Sequence, residues 1–355
     1  MSEKFLSRRS FVKASAGLAA ALSLPWFTSC AEGGEKEEGR KEAKAVKSSK
    51  NAEPMSIPVK NPADSNAITR DYFDSLLLET RYMDTCLPST ELKLFGKTFD
   101  TPIMTAALSH LGNTAEDGMR TYAKAAAACN AVHWVGMGEE DELEQIIATG
   151  AQTIKIIKPY ENNADILHRI EHAVKAGCIA VGMDIDHALN GSGGYDTVLG
   201  YPMNVKSTKE IASFAKAAGI PYIIKGVLSV HDALKCVEAG VAGIVISHHR
   251  GMMPYSVAPL MVIEDIVKAV NGRMKIFVDC GISSGMDAYK CLALGADAVS
   301  VGTHLMPLLK DGPDAVAKRI NQMTAELAGV MARTGVASLD KMDPTVIHKS
   351  PLRIG

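Results

Sequence analysis

The 355-residue sequence predicts an α/β fold, a single (β/α)8 TIM barrel preceded by an export signal and a disordered tether. Two observations support this prediction. Eight short runs of apolar, mostly small or β-branched residues recur between positions 102 and 302, and amphipathic helical stretches separate most of them. Strands that alternate with helices pair in parallel, and eight such units in a row favour a closed barrel over an open sheet.

The first thirty residues are predicted to be an export signal. Arg8 and Arg9 form a twin-arginine pattern, and the apolar run 14–24 that follows is too short to span a bilayer, which takes about 20 residues. We interpret residues 1–30 as a Tat signal peptide for the periplasm or cell envelope. Small residues precede Cys30, as in a loose lipobox, so Cys30 is a candidate lipidation site and membrane tether.

Residues 31–67 are predicted to be a flexible linker, because Glu, Lys, Gly, Ser and Pro dominate them and few apolar residues are present. The remaining residues, 68–355, are the predicted barrel domain and suit the usual size of that fold. A formal net charge of -2 and an aromatic content of 5% argue against a nucleic-acid partner. The seven cysteines show no zinc-binding spacing, and most lie in apolar runs where free cysteine is buried.

The predicted strands and helices alternate along the chain. From first to eighth, the strands are 102–107, 131–136, 153–158, 180–185, 221–226, 243–248, 275–281 and 298–302. The helices are 116–128, 140–149, 163–176, 208–218, 230–239, 259–270 and 285–294, and 315–332 closes the barrel. The Gly-rich connection 186–205 is longer than the others and is a candidate lid over the active site.

Polar residues gather at the predicted C-terminal ends of the strands, which is where barrels of this kind carry their active sites. Glycines follow the seventh and eighth strands, where barrels often bind phosphate because glycine lets backbone N–H groups approach the anion. The strand-end residues, taken from the third strand to the eighth, are Lys155, Asp184, Asp186, His187, Lys225, Ser247, His248, His249, Arg250, Asp279, Gly281, Gly285, Gly302, Thr303 and His304.

Several of these segments resemble the FMN-dependent α-hydroxy acid oxidase and dehydrogenase family. The family has a Lys-Gly strand, a strand ending in a histidine motif, an Asp-Gly-Gly turn and a Leu-Gly-Ala-Asp-Ala-Val strand. The corresponding segments here are 223–228, 239–249, 279–285 and 294–299, with 331–335 in the closing helix. The resemblance covers residues 102–335, most of the predicted mature chain.

The resemblance implies a set of roles for individual residues. His249 falls on the catalytic base, Asp186 on the carboxylate that stabilises it, and Lys225 on the lysine beside flavin N1 and O2. No metal is implied. The residues that fall on FMN contacts are Ala107, Leu108, Ser109, Gly136, Lys155, Asp184, Lys225, Ser247, Asp279, Gly281, Ser284, Gly302 and Thr303.

The sequence also departs from the family pattern, chiefly where substrate binds. Met252 stands where the family has its carboxylate-binding arginine, and methionine cannot form that bidentate contact. Ile157 replaces a substrate-binding tyrosine, and the arginines of the phosphate region are absent. Lys155 and Asp184 replace a glutamine and a threonine, which suggests the hypothesis that these two residues form a coupled charge pair.

Several functions follow from these matches and departures. In one, Arg250 or another nearby cation replaces the missing arginine and binds the substrate together with His249, and the enzyme oxidises a 2-hydroxy acid. In another, FMN and the base remain but the substrate or reaction type differs, as in an isomerase or reductase. A non-catalytic envelope binding protein is a third possibility. We expect a small-molecule substrate, an electron acceptor (oxygen, a quinone or a redox protein) and a homo-oligomer.

A metal-dependent barrel hydrolase or aldolase is the alternative from a different chemical class. Its ligands would be His248, His249, Asp184, Asp186 and His187. Lys225 and the glycine turns after the seventh and eighth strands favour the flavin enzyme, because a metal site does not explain them.

Overall fold

A computed structural model describes residues 61–350, so the predicted export signal, Cys30 and most of the predicted linker lie outside the described residues. The strands are β1 (Leu76–Leu78), β2 (Leu92–Leu94), β3 (Lys97–Phe99), β4 (Ile103–Thr105), β5 (His133–Val135), β6 (Thr153–Ile157), β7 (Ala180–Asp184), β8 (Thr197–Val198), β9 (Tyr201–Pro202), β10 (Tyr222–Val227), β11 (Gly243–Ile246), β12 (Lys275–Val278), β13 (Ala298–Val301) and β14 (Ile347–Lys349). The helices are α1 (Ser65–Ser75), α2 (Gly118–Ala128), α3 (Glu140–Ile147), α4 (Asn163–Ala176), α5 (Thr208–Ala218), α6 (Val230–Glu238), α7 (Pro259–Val270), α8 (Gly285–Ala293) and α9 (Pro313–Arg333).

Within residues 61–350, eight parallel strands form one sheet in the order β4-β13-β12-β11-β10-β7-β6-β5. The two outer members, β4 and β5, meet through a parallel bridge between Leu108, just beyond β4, and Val135, the last residue of β5. The Gly136 amide also donates to the Leu108 carbonyl at 2.9 Å. This seam closes the barrel, so the predicted fold is confirmed, and each predicted strand overlaps an observed one, with β10 extending one residue past the predicted 221–226.

Side chains alternate between the interior of the barrel and the surrounding helices. Interior residues such as Ile154, Ile156, Ile223 and Phe277 form one apolar cluster, which the β2–β3 hairpin joins through Leu92, Leu94 and Phe99. Outward residues such as Ile157 and Ile224 belong to a second cluster that includes the helices. The filled interior leaves the polar chemistry to the C-terminal ends of the strands.

Helix α1 corrects the end of the predicted linker. The composition predicts a linker that runs to residue 67, but α1 begins at Ser65, with Asp64 accepting a hydrogen bond from the Asn66 amide. Ser65 and Thr69 are buried, and the Ser65 hydroxyl donates to the Met253 carbonyl at 2.7 Å. The helix is rich in polar residues because these make specific contacts to the loop after β11, so composition alone does not reveal it.

The connection 186–205, the candidate lid, contains regular secondary structure. It begins with a 3-10 turn, Ile185–Ala188, and continues through the β8–β9 hairpin. Met203 is buried, and it forms a bridge with Tyr160. Among the described residues, no helix combines the length and hydropathy needed to cross a bilayer. The cysteines of this part of the chain are free, and Cys129, Cys178, Cys236 and Cys291 are buried.

Candidate active site

Strand register brings Lys225 and Asp184 together. Side chains two positions apart on a strand point to the same side, and those of Lys225 and Asp184 point into the barrel. Lys225 pairs directly with Asp184 between β10 and β7. The Lys225 ammonium lies 3.3 Å from Asp184 Oδ1 and 3.9 Å from Asp279 Oδ2. All three side chains are buried, so their charges act through a medium that screens them weakly.

Gly226 makes room for Asp186. Its φ is +92°, and a Cβ at this position would lie 2.6 Å from Asp186 Oδ2. The β10–β11 register shifts between Lys225 and Val227, which marks a bulge at the glycine. The Lys-Gly pair therefore places an ammonium inside the barrel and lets the neighbouring carboxylate approach the backbone.

His249 is held by two carboxylates at the end of β11. Its Nδ1 lies 2.9 Å from Asp186 Oδ1 and 3.5 Å from Asp184 Oδ1, which leaves Nε2 as the atom available for proton transfer. The His249 amide donates to Ser247 Oγ at 3.0 Å. Both His249 and Arg250 have left-handed backbones, with φ of +47° and +59°. Such conformations cluster at functional sites, where the surrounding structure maintains the strain.

The charges around His249 favour its protonated form. Burial lowers the pKa of His249, but the charge of Asp184 and hydrogen bonds to Asp184 and Asp186 outweigh it and raise that pKa to about 9. Burial also raises the pKa of Asp186, with a further contribution from Asp184. Burial would raise the pKa of Asp184, but Lys225 and Lys158 hold it well below its usual value. Asp184 is therefore the ionised carboxylate of this group.

A cavity of about 570 Å³ opens above this cluster. Among the predicted site residues, the ones that line it are Ala107, Leu108, Lys225, His249, Arg250, Asp279, Gly281, Gly302 and Thr303. Asn66 and Met252 also line it, and the sequence analysis does not assign Asn66 to the site. The cavity therefore runs from the end of β4 across to the ends of β10 through β13.

Other predicted site residues do not line the cavity but support its wall. Asp184 and Asp186 lie against His249, and Ser247 holds the His249 amide. Ser109 and Gly136 pack against each other at the barrel seam. Ser284 caps α8 by accepting a hydrogen bond from the Asp287 amide.

The predicted pair between Lys155 and Asp184 is wrong. Lys155 lies between Ile154 and Ile156, which face the interior, so its own side chain points outward. There its ammonium donates to the Gly136 carbonyl at 2.6 Å, and burial lowers its pKa to about 8. Lys155 therefore supports the seam of the barrel and does not reach the cofactor side.

Lys158 is the lysine that binds Asp184. It follows β6 at the inward parity of Ile154 and Ile156, and its ammonium lies 2.7 Å from Asp184 Oδ2. Both side chains are at least nine-tenths buried. The sequence does not distinguish Lys158 from Lys155, because the run from Thr153 to Lys158 carries lysines at both parities and apolar residues on both faces.

Two arginines from outside the glycine motif hold the turn after β12. Arg70 of α1 donates to the Gly281 carbonyl at 3.3 Å, and Arg319 of α9 donates to the Ser283 carbonyl at 2.7 Å. Arg319 also donates to His304 Nε2 at 2.9 Å. Both guanidinium groups are also ion-paired, Arg70 with Asp74 and Asp287 and Arg319 with Glu326, so they hold the turn where the family's own arginines are absent. Their distance along the chain hid them from motif analysis.

His248 has a structural contact rather than a ligand role. The Gly251 amide donates to its Nδ1 at 2.9 Å, which leaves Nε2–H to donate to Thr69 Oγ1 at 2.7 Å. His248 therefore attaches the loop after β11 to α1. This contact removes it from the predicted metal-ligand set.

The other four residues of the predicted metal set do come together. Ligand atoms of Asp184, Asp186, His187 and His249 lie within 4.8 Å of one another. Two lysine ammonium groups already neutralise Asp184, and His249 Nδ1 binds Asp186. An added cation would meet two fixed positive charges, which disfavours the metal-dependent alternative. The cavity instead suits a flat molecule with a phosphate at the glycine turns.

A family model described as "FMN-dependent dehydrogenase" matches residues 61–210 and 201–349. A peroxisomal (S)-2-hydroxyacid oxidase of Arabidopsis thaliana is 31% identical over 284 residues, which cover 70% of this chain and 78% of that protein. An L-lactate oxidase of Lactobacillus jensenii is 28% identical over 285 residues, covering 71% of this chain and 70% of that one.

Solved structures of mandelate oxidase share the fold. A variant with benzoyl-formic acid superposes with a TM-score of 0.75 at 25% identity, covering 82% of this chain and 92% of that chain. A variant with a monooxide FMN adduct gives a TM-score of 0.73 at 25% identity, covering 81% and 91%. These matches span the whole described barrel.

Proposed function

The chain belongs to the FMN-dependent dehydrogenase family, and from that premise we propose that it is an enzyme that oxidises a 2-hydroxy acid with FMN as its cofactor. Relatives that act on 2-hydroxy acids and lactate support the reaction class. The buried base, the ammonium beside it and the adjoining cavity support the same chemistry.

The cavity has the features that FMN requires. Lys225 supplies a buried positive charge for the ring, and Ala107 and Leu108 line the opposite wall. Gly281 and Gly302 line the end near the arginine-held turn, and a Cβ at Gly281 would lie 2.7 Å from Thr69 Cγ2. FMN, when bound there, supplies the two-electron acceptor that the side chains of the protein lack.

The protein residues handle the proton and the charge. Oxidation of a 2-hydroxy acid to a 2-oxo acid removes a hydroxyl proton and a hydride equivalent from the α-carbon. His249 Nε2 takes the proton, while the carboxylate of Asp186 on Nδ1 fixes the ring and stabilises the imidazolium. Lys225 stabilises the negative charge that accumulates beside it during the reaction.

Arg250 is the observation that favours an acid substrate. It lines the cavity beside His249, and among the described residues its guanidinium has no hydrogen-bond or ion-pair partner. Lys225, by contrast, is neutralised by Asp184 and Asp279. Arg250 can therefore bind a substrate carboxylate while the adjacent hydroxyl faces His249.

The test is reduction of the bound flavin without oxygen. FMN-loaded protein is mixed with a panel of 2-hydroxy acids and with the neutral alcohol and amide that match each acid. Bleaching of the flavin by acids and not by their neutral counterparts supports the proposal. Bleaching by neutral alcohols alone would replace it with the alternative of a different substrate.

We also propose that the protein is exported through the Tat route and tethered to the membrane through Cys30. The twin arginines and the small residues before Cys30 support this. An envelope position suits a quinone or a redox protein as electron acceptor, with oxygen as the alternative. We further propose that the protein assembles as a homo-oligomer. Cell fractionation of Cys30→Ala and of a double Arg8→Lys, Arg9→Lys variant tests export, and sedimentation tests assembly. Release of the Cys30→Ala protein from membranes supports the tether, and unchanged membrane association contradicts it.

A further inference from the structure

A buried ion pair beneath the base is not explained by flavin binding or substrate binding. Lys158 Nζ and Asp184 Oδ2 lie 2.7 Å apart, with 10% and 5% of their side chains exposed. Neither residue lines the cavity. Removing two charges from water costs several kcal/mol per ion, so a pair kept there calls for a functional reason.

Asp184 connects this pair to the reacting groups. Its Oδ2 binds Lys158, while its Oδ1 faces Lys225 at 3.3 Å and His249 Nδ1 at 3.5 Å. Lys225 is also close to His249, with 3.3 Å between Nζ and Nδ1. Without Asp184, the Lys225 ammonium would repel a proton on the imidazole. The negative charge of Asp184, which lies close to both groups, therefore helps His249 to hold that proton.

The other charged groups around His249 are accounted for. Asp186 binds Nδ1, and its Oδ2 is buried without a hydrogen-bond partner among the described residues. His187 places its ring edge on His249 at a centroid distance of 4.5 Å and pairs with Asp196. Asp279 pairs with Lys225, and His248 and Arg250 belong to the same loop as His249. None of them contacts Asp184 Oδ2, so Lys158 alone holds that oxygen within the described residues.

We propose that Lys158 and Asp184 are a positioning pair in which Lys158 holds the Asp184 carboxylate directed at His249, so that the imidazole retains the proton it takes from the substrate. This rests on the proposed function for the direction of proton transfer. Lys158 acts on His249 indirectly, through Asp184. Asp186 orients the imidazole ring, and Asp184 supplies the fixed negative charge.

The pair has a defined effect on pH dependence. His249 acts as a base when neutral, and its pKa is raised to about 9, so kcat/KM rises with pH through that value. Asp184→Asn removes the charge that favours the imidazolium, so the rise moves to lower pH. Lys158→Met leaves Asp184 ionised beside Lys225 but frees its Oδ2, so the carboxylate is no longer held toward His249 and the rise moves in the same direction.

The experiment uses FMN-loaded enzyme and two readouts. The first is the pH profile of kcat/KM. The second is an NMR titration of the His249 ring without substrate, with the exposed His231 as the internal reference. We expect the midpoint pH of the His249 titration to fall by about one unit or more in Asp184→Asn and by a smaller amount in Lys158→Met. A shift of one unit corresponds to only a modest change in interaction energy.

A double variant separates this role from packing. Lys158→Met with Asp184→Thr removes both charges of the pair and leaves Lys225 with Asp279, and we expect its melting temperature to exceed that of Lys158→Met. Its His249 titration should nevertheless stay at the lower pH. Lys155→Met is the matched control, because Lys155 is a buried lysine on the same strand that points outward; its pH profile should match the wild type.

The results distinguish the pair from the proposed function. If the His249 titration is the same in wild type, Asp184→Asn and Lys158→Met while their melting temperatures fall, the pair is structural only and the inference is wrong. If no 2-hydroxy acid reduces the flavin, the proposed function fails, but the titration still decides whether the pair sets the charge of His249.

Discussion

Arg250 and Met252 lie two residues apart in the loop after β11, and both line the cavity that adjoins His249. The resemblance identifies the position of Met252 as the one that carries an arginine in the family. The structure instead places a guanidinium at Arg250 that has no hydrogen-bond or ion-pair partner within residues 61–350. The positive charge for a substrate carboxylate is therefore still present, but it comes from a different backbone position.

We expect Arg250→Ala to raise KM for a 2-hydroxy acid by about 10- to 100-fold, because a hydrogen bond to a charged group contributes about 1.5–3 kcal/mol. Steady-state kinetics measure this. In the double variant Arg250→Ala, Met252→Arg, part of the affinity should return. A matching neutral alcohol serves as control, and an equal loss for acid and alcohol would contradict a carboxylate-binding role.

We expect His249→Gln to lower kcat by at least about 100-fold, since general-base catalysis contributes about 100- to 10,000-fold. The variant should still bind FMN, because Lys225, Gly281 and Gly302, which line the same cavity, are unchanged. Flavin absorbance after gel filtration checks occupancy, and rapid mixing with substrate checks the reduction rate. Full-rate flavin reduction in this variant would rule out His249 as the base.

Gly226→Ala should destabilise the protein and displace Asp186. A non-glycine residue in the left-handed region costs about 1–3 kcal/mol, and here the new Cβ would also press on the Asp186 carboxylate. Gly219→Ala is the matched control, because Gly219 also has a positive φ, but a Cβ added there would meet no atom within 4 Å. Thermal melting measures both variants. Equal losses would show that backbone conformation, and not the contact with Asp186, requires the glycine.

Arg319→Ala should weaken FMN binding about 5- to 50-fold, because it removes from the turn after β12 a hydrogen bond and a guanidinium group that is shared with Glu326. Quenching of FMN fluorescence on titration into flavin-free protein measures the affinity. Arg273→Ala serves as control, since Arg273 binds carbonyls at the end of α7 instead. If both variants bind FMN equally well, Arg319 only maintains the turn.

Local patterns predicted the barrel well because each strand and helix carries its own periodicity. The strand-end residues Asp186, Lys225 and His249 could be located for the same reason: a strand's end and a short motif lie together in the sequence. The resemblance then gave these residues their expected roles. The structure adds the distances that relate them.

The remaining parts of the site depend on information that the sequence holds only weakly. Choosing Lys158 over Lys155 requires the facing direction of β6, and a run that is apolar on both faces does not reveal it. Arg70 and Arg319 reach the glycine turn from segments far away in the sequence. Helix α1 is stabilised by contacts made across the fold. Its polar composition resembles that of the linker, so composition alone does not reveal the helix.

The contacts of α1 also bear on the order in which the molecule forms. Ser65 bonds to a residue 188 positions later, and Thr69 to one 179 positions later. Contacts this distant in sequence carry a high entropic cost and slow folding when they must form early. Docking of α1 is therefore expected to be a late step that follows closure of the barrel. Because Asn66 lines the cavity, the active site lacks the part of its wall that α1 supplies until that step.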